Sequence, residues 1–373
     1  MESKPLTLNQ LQATLEAAGK PWEAIETDLF QLSDDEKKSW LGYMPGPGEP
    51  TLAAREELAA AKMAAYTAEM AALAAAEGYS AAASFDWRNV NGKNYVTPIK
   101  NQGGCGSCVA FGTTAAVEGT LRVAIGNAAY PIDLSEAHLF YCQNRQCNPG
   151  DPNYGWWVPP ALDACKNSGV ADDACYPYTD VNQACKVCSD WANRVTRISG
   201  WHAITSIADM KTWLSTRGPL VACYTVYDDF FAYRSGVYRH VSGKVAGGHC
   251  VCCVGYNDAD GCWIMKNSWA ASFGESGYFR IAYGQCGIDA TMWAVDGFNT
   301  GVWQNNKRVV GLWAIDQDRN AWVCIDGIGW KKVSPDNDNI FFDMLNQLVM
   351  AKAAARPINY FELAGVIKEV YVL

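Results

Sequence analysis

The stretch Asn101-Gln102-Gly103-Gly104-Cys105-Gly106-Ser107-Cys108-Val109-Ala110-Phe111 decides the reading of this 373-residue chain. Three glycines and a serine surround two cysteines, and an apolar, alanine-rich run follows to about Ile125. Glycine permits the tight turns that such a loop needs, and the run behind it predicts a buried helix. Cys108 then falls at the helix N-terminus, where unpaired N–H groups and the helix dipole favour negative charge. That environment lowers a thiol pKa and makes the thiolate available. Cys105, in the same loop, reads as structural. A nucleophilic cysteine also needs a base and an oxyanion partner.

The base candidate is His249, one of four histidines. His138 lies at a helix start, His202 in a strand-like segment and His240 in a loop beside Gly243. His249 alone has a glycine pair before it, Gly247-Gly248, and an apolar run after it, Cys250 to Val254. This places an imidazole at the mouth of a buried strand. Eighteen residues on, in Lys266-Asn267-Ser268-Trp269, Asn267 is placed to accept the His249 N–H and fix its tautomer, with Trp269 shielding that bond from water.

With these residues in place, the sequence resembles the papain-like cysteine proteases, over roughly Phe85 to Phe298. The motifs that carry the resemblance include Phe85-Asp86-Trp87-Arg88, Val96 to Gln102, Leu134-Ser135-Glu136, Cys175-Tyr176-Pro177-Tyr178 and Gly255-Tyr256, in the family's order. The Cys108-to-His249 gap is 141 residues, inside the family's interval of roughly 130–150. The gap to Asn267 is 159, slightly long. Two positions depart from the pattern: Val109 and Phe273 stand where the family usually has tryptophan. Both change the aromatic packing around the site and neither removes a catalytic group.

The resemblance implies an α+β, two-lobed protease: a helical lobe from Phe85 to about Gly200 and an antiparallel, barrel-like lobe from Trp201 to Phe298. Strands are expected at Leu220–Val226, Gly236–His240, Cys250–Tyr256, Cys262–Lys266 and Gly277–Ala282. It also implies a catalytic set of Cys108, His249, Asn267 and Gln102, with Trp269 in support. In that mechanism a Cys108 thiolate beside a charged His249 attacks a peptide carbonyl. Gln102 and the Cys108 N–H hold the oxyanion, and water hydrolyses the thioester. Gly155, Trp156, Trp157 and Gly248 are expected to bind substrate. Thr291 is expected at the floor of the pocket for the second residue before the scissile bond, with an apolar or aromatic preference. Trp156 and Trp157 have core packing as their alternative role. Val226 to Phe230 and Ser235 to Gly243 look like cathepsin B, yet no histidine lies between Cys147 and Cys165, which points to endopeptidase cleavage. Two other readings use the same residues: a catalytically silent binding protein of papain fold, and a transpeptidase or amidase.

The fifteen cysteines are an odd number, so at least one is unpaired. The resemblance implies bridges Cys105–Cys147 and Cys142–Cys185, with Cys175 and Cys188 left for a third. Gly243 stands where the family often has a further cysteine, so Cys286 is expected to lack that partner, while Cys250, Cys252, Cys253 and Cys262 read as small apolar strand residues. A zinc site is the rival use of these thiols, but no Cys/His ligand pairs recur in zinc-like spacing, and neither metal nor cofactor is expected. Disulfides favour secretion or another oxidising compartment, whereas Met1-Glu2-Ser3-Lys4 does not open a signal peptide. The net charge of −9 argues against nucleic acid, and no apolar run reaches the ~18 residues of a membrane span.

Two flanking segments complete the chain. Residues 1–82 read as a helical propeptide and intramolecular inhibitor, with a permanent helical module as the alternative. It has capping boxes at Thr7 and Ser33, an extended Gly42 to Pro50, and an alanine-rich helix from Thr51 to Glu77. The extended piece is expected to cross the cleft. Residues 83–298 form the peptidase domain and 299–373 a small β-barrel-like domain of oligonucleotide/oligosaccharide-binding type. Its strands are expected at Val309–Ile315, Ala321–Ile325, Pro357–Leu363 and Val366–Val372, and its helix at Asn339–Ala355 with Phe342, Leu345, Leu348 and Val349 on one face. Trp303, Trp313, Trp322 and Trp330 are either core or a contact surface for sugar or protein. Asp336-Asn337-Asp338 reads as a turn, with calcium binding as its alternative. Polypeptides are the expected substrates.

Overall fold

The computed structural model of the protein describes residues 5–77, 84–298, 301–316, 319–335, 338–363 and 366–373. The glycine-rich loop runs into the helix Cys108–Ala124, which is buried without interruption from Cys108 to Leu121. A helix buried on every face belongs in a core, and its one carboxylate, Glu118, accepts from the Leu134 N–H at 2.7 Å. It lies directly on the strand Val245–Asn257: a Cβ on Gly112 would sit 3.0 Å from Cys250 Sγ and 3.1 Å from the Val251 backbone. One turn behind Cys108, the helix therefore touches the residues that follow His249.

That strand is central in a sheet of mostly antiparallel pairing. Its order is Trp22–Ala24, Tyr233–Tyr238, Tyr278–Ala282, Cys262–Lys266, Val245–Asn257, Leu220–Tyr227, Met292–Phe298, Ile198–Ile204, with Ser84–Asp86 paired to Val245–Asn257. The expected strands are present. The one read as Gly236–His240 begins earlier, at Tyr233, and Met292–Phe298 was not foreseen. The sheet stays open among the described residues, its two end strands unpaired to each other. Helices Glu136–Tyr141 and Val158–Asn167 pack on Cys108–Ala124. Bridges Cys105–Cys147, Cys142–Cys185 and Cys175–Cys188 tie the loops around them, and Cys286 is free.

Both capping boxes form: Thr7 caps Leu8–Ala17 and Ser33 caps Asp34–Ser39. The long helix runs Leu52–Glu77. The sequence does not announce the strand Trp22–Ala24, which pairs Trp22 with Gly236 at the edge of the large sheet. The Trp22 indole N–H donates to Arg239 O at 2.8 Å. Leu11, Leu15, Trp22, Phe30 and Leu41 share one apolar cluster with Phe230, Phe231 and Trp269. The N-terminal segment thus shares a core with the residues it precedes, and the chain divides into two compact units, Met1–Gly297 and Phe298–Leu373.

In the second unit, six strands take the order Gly301–Lys307, Ile358–Leu363, Val366–Val372, Gly329–Val333, Ala321–Ile325, Val309–Ala314. Two were not foreseen, Gly301–Lys307 and Gly329–Val333. The sheet is open rather than a closed barrel, since its edge strands do not pair with each other among the described residues. The helix Asp338–Ala353 buries Phe341, Met344, Leu348 and Ala351. That stripe corrects the expected face: Leu348 is on it and Leu345 borders it, but Phe342 and Val349 are exposed. The sequence 341, 344, 348, 351 follows helical periodicity equally well, and only the packed sheet chooses between the two. Trp313 and Trp330 are exposed and Trp322 is half-buried, so these tryptophans are not a core. Asp336 and Asn337 lie outside the described residues.

Candidate functional site

Cys108 is the first residue of its helix, after Ser107. The loop before it is shaped by Gly103, whose φ of +61° suits glycine, and by the close approach of Gly106 to the Tyr154 ring. Gln102 is held from several sides. Its N–H donates to Ser268 O at 2.8 Å, and its Oε1 accepts from Ser268 Oγ at 2.7 Å. Its Nε2 donates to Cys105 O at 2.8 Å and to Trp40 O at 3.0 Å.

His249 sits on the neighbouring strand with Asn267 Oδ1 2.8 Å from its Nε2. The Ser268 N–H donates to the same Oδ1 at 2.9 Å, which identifies that atom as oxygen. Nε2 therefore carries the proton, and the lone pair lies on Nδ1, a buried atom with no hydrogen-bond partner. Trp269 covers this pair, its ring 4.6 Å from the imidazole and stacked on Phe231 at 5.4 Å. Phe273 packs edge-on against Trp269 at 5.0 Å, so phenylalanine still serves the aromatic cluster there. Val109 is fully buried. The other histidines are engaged elsewhere. His138 Nδ1 accepts from the Ala171 N–H, His202 pairs with Asp296, and His240 pairs with Asp229 and stacks on Tyr227.

Residues 40–55 cover all of this. The Gly42 N–H donates to Cys108 Sγ at 3.2 Å. The Trp156 N–H donates to Gly42 O at 2.7 Å, and the Tyr43 N–H to Gly248 O at 3.0 Å. The Met44 N–H donates to Trp156 O at 3.0 Å, and the Tyr154 hydroxyl to Leu41 O at 2.6 Å. Gly155, at φ +60°, leaves no room for a Cβ, which would lie 2.4 Å from Gly42 O. Trp157 lies against Gly46, and Thr291 O accepts from Arg55 Nη2 at 3.4 Å. Every residue expected to bind substrate thus meets the N-terminal segment. Trp156 is buried and Trp157 half-exposed. Sequence reasoning missed Ser268, Tyr43 and Arg55. The spacing of Arg55 and Lys62 on one face of an alanine-rich helix was the available signal.

This cover overturns one electrostatic expectation. Burial pushes the Cys108 thiol up to about 12 and His249 down to about 4. Both groups are neutral here, because an ion pair loses its hydration under the cover. No group of three or more His, Cys, Asp or Glu suited to a metal occurs among the described residues, and none of their helices is long and apolar enough to cross a membrane.

Residues 81–295 match the family described as papain family cysteine protease. The chain belongs to the papain family. Within it, the chain is 36% identical over 226 residues to a cathepsin B-like protein, CP2, of Giardia intestinalis, covering 57% of this chain and 73% of that one. It is 34% identical over 211 residues to a cathepsin L-like proteinase of Fasciola hepatica, covering 54% and 62%. Among solved structures, proCathepsin B S9 from Trypanosoma congolense shares the fold with a TM-score of 0.61 at 24% identity, over 79% of this chain and 98% of that one. The papain-family match coincides with the stretch that holds Cys108, His249 and Asn267, and it leaves residues 301–373 outside.

Proposed function

We propose that this papain-family protein is a cysteine endopeptidase made as a zymogen, with residues 1–82 as the propeptide, 83–298 as the peptidase domain and 299–373 as an appended domain. The observation that carries the reading is the Gly42 N–H on Cys108 Sγ, beside a His249 whose Nδ1 is unprotonated and without a partner. The cleft is built for an acyl group and is closed by the chain's own backbone. In the open enzyme His249 Nδ1 takes the Cys108 proton, and the thiolate attacks a substrate carbonyl. Gln102 Nε2, which donates to Trp40 O in this state, turns to the oxyanion with the Cys108 N–H. His249 then protonates the leaving amine, and water hydrolyses the thioester. Asn267 holds the imidazole in the productive tautomer throughout.

Tyr43, 2% exposed, packs its ring against Gly248, with the Arg55 guanidinium carbon 5.5 Å from the ring centre. It marks the apolar seat for the second residue before the scissile bond, and polypeptides are the substrates. The absence of histidine between Cys147 and Cys165 favours endopeptidase over dipeptide trimming. The test is to acidify the purified chain, map new N-termini near Glu77 to Phe85, and measure protein hydrolysis beside the Cys108→Ala variant. New N-termini and hydrolysis that vanish in Cys108→Ala are expected; hydrolysis that survives the substitution would sink the assignment.

A further inference from the structure

Two free thiols oppose each other beside His249. Leu220–Tyr227 and Val245–Asn257 run antiparallel, with Cys223 directly opposite Cys250, the residue after His249. Both are fully buried and unbridged. Residues opposed in this way share one face of the sheet. Gly248, two residues before Cys250, lies on that same face. A Cβ there would meet Tyr43 O at 2.3 Å and Leu52 Cδ2 at 3.3 Å. Arg55 Nη2 donates to the Cys223 carbonyl at 3.1 Å. The N-terminal segment therefore lies over both cysteines.

No other cysteine of this sheet has a thiol across from it among the described residues. Cys252 faces Val221 and Lys266, Cys253 faces Leu220 and Met265, and Cys262 faces Asn257 and Ala282. Opposed residues hold their Cβ atoms about 4.5–5.5 Å apart, and a disulfide needs roughly 3.5–4.5 Å. Side-chain rotation and a small inward pull of the strands make up the difference. The adjacent rung is Tyr224↔His249, so the pull falls on the imidazole's own strand position. Burial, and next the hydrogen bond with the Cys223 thiol, push the Cys250 thiol well above its ordinary 9. Exchange with a disulfide requires thiolate, so the covered pair is inert. Departure of residues 40–55 returns water to the pair and removes much of that barrier.

We propose that Cys223 and Cys250 close to a reversible disulfide once the N-terminal segment has left, and that this bridge slows hydrolysis by straining the His249 rung. The oxidant is a low-molecular-weight disulfide. One thiolate of the pair attacks it and expels its first thiolate. The second thiol gives up its proton, attacks the mixed disulfide and expels the other half. Two electrons and two protons pass from the pair to the small disulfide, which leaves as two thiols. The slowing rests on the peptidase reading above; the bridge itself does not.

The test frees the chain of its N-terminal segment by limited digestion with an added aspartic protease, so that no activity of its own is needed. The product is equilibrated with oxidised glutathione at neutral pH. Reduced glutathione is then added to strip mixed disulfides from Cys108. One portion is quenched in acid, alkylated and digested for peptide mapping, and another is assayed on a fluorogenic peptide. A species linking Cys223 to Cys250, a loss of two alkylatable thiols and a loss of hydrolysis that dithiothreitol reverses are expected. The Cys108→Ala chain, treated alike, should form the same link, and the undigested chain should keep both thiols. Cys223→Ala should show no loss relative to its own untreated rate. Separate alkylation of Cys223 and Cys250 in the digested chain, or a bridge from either to another cysteine, overturns the proposal and leaves the peptidase standing. A linked pair with unchanged hydrolysis overturns the regulatory half. A linked pair in a chain that never hydrolyses peptide and takes up no thiol-directed epoxide overturns the peptidase and leaves the bridge.

Discussion

The Gly42 main-chain N–H donates to the Cys108 side-chain sulfur at 3.2 Å. The fit leaves no slack: a Cβ on Gly42 would lie 1.8 Å from Gly106 O. Gly42→Ala should therefore push the segment off the cleft. Overpacking of this kind costs about 1–3 kcal/mol, or roughly 5- to 150-fold in the uncovered fraction. The expected result is faster autoprocessing and higher peptidase activity at neutral pH. After processing, kcat/KM should equal wild type, since residue 42 is then gone. Unchanged zymogen activity would show that this contact does not close the site.

Acid should open the cleft. His249 titrates at about 4 when covered, against an ordinary 6.5. Its pKa is depressed, so its contribution to the covered state is present above 6.5 and lost as pH falls toward 4. Cys108, raised to about 12, adds nothing to this acid branch; its contribution is lost only above its ordinary value of 9. Asp34, held low by its hydrogen bond to Lys244, keeps its anchor on this face through the whole of that window and loses it only below the ordinary 3.8. Processing rates measured at half-unit steps should rise between pH 6.5 and 4. A rate flat across that interval in wild type excludes His249 as the trigger.

Asn267→Ala should separate catalysis from folding. It leaves the buried His249 Nε2–H without its acceptor, at about 1–3 kcal/mol, and lets the ring turn under Trp269. A loss of about 10- to 100-fold in kcat is expected, with KM near wild type. A change confined to KM would remove Asn267 from the orienting role.

The last unit has a core of its own, and Leu348 is fully buried in it. Leu348→Ala should destabilise that unit by about 2–5 kcal/mol. Calorimetry should show a lowered transition, while hydrolysis of a small fluorogenic peptide stays at the wild-type level. Loss of peptide hydrolysis would mean that residues 299–373 support the peptidase domain.

The loop at Cys108, the glycine pair before His249 and the Asn267-Ser268-Trp269 run were legible because their chemistry depends on neighbours in sequence. A helix start, a strand mouth and a short polar run each leave a local pattern. The disulfides Cys105–Cys147 and Cys142–Cys185 were legible through likeness to a family rather than through geometry. The crossing of the cleft near Gly42 was also anticipated, since proline and glycine leave that segment extended between helices.

By itself, then, the sequence determined which residues are the candidates for nucleophile, base and orienting amide, and that helices precede and an appended β-rich piece follows them. Only the tertiary structure decided the rest. It made Trp22–Ala24 a strand, because three residues extend only when an open edge at Gly236 receives them. It chose Phe341 over Phe342 for the core, because one helix turned slightly can bury either. It set Cys108 and His249 neutral, because ionisation depends on the water that residues 40–55 exclude, and no local pattern of residues encodes how dry a site will be.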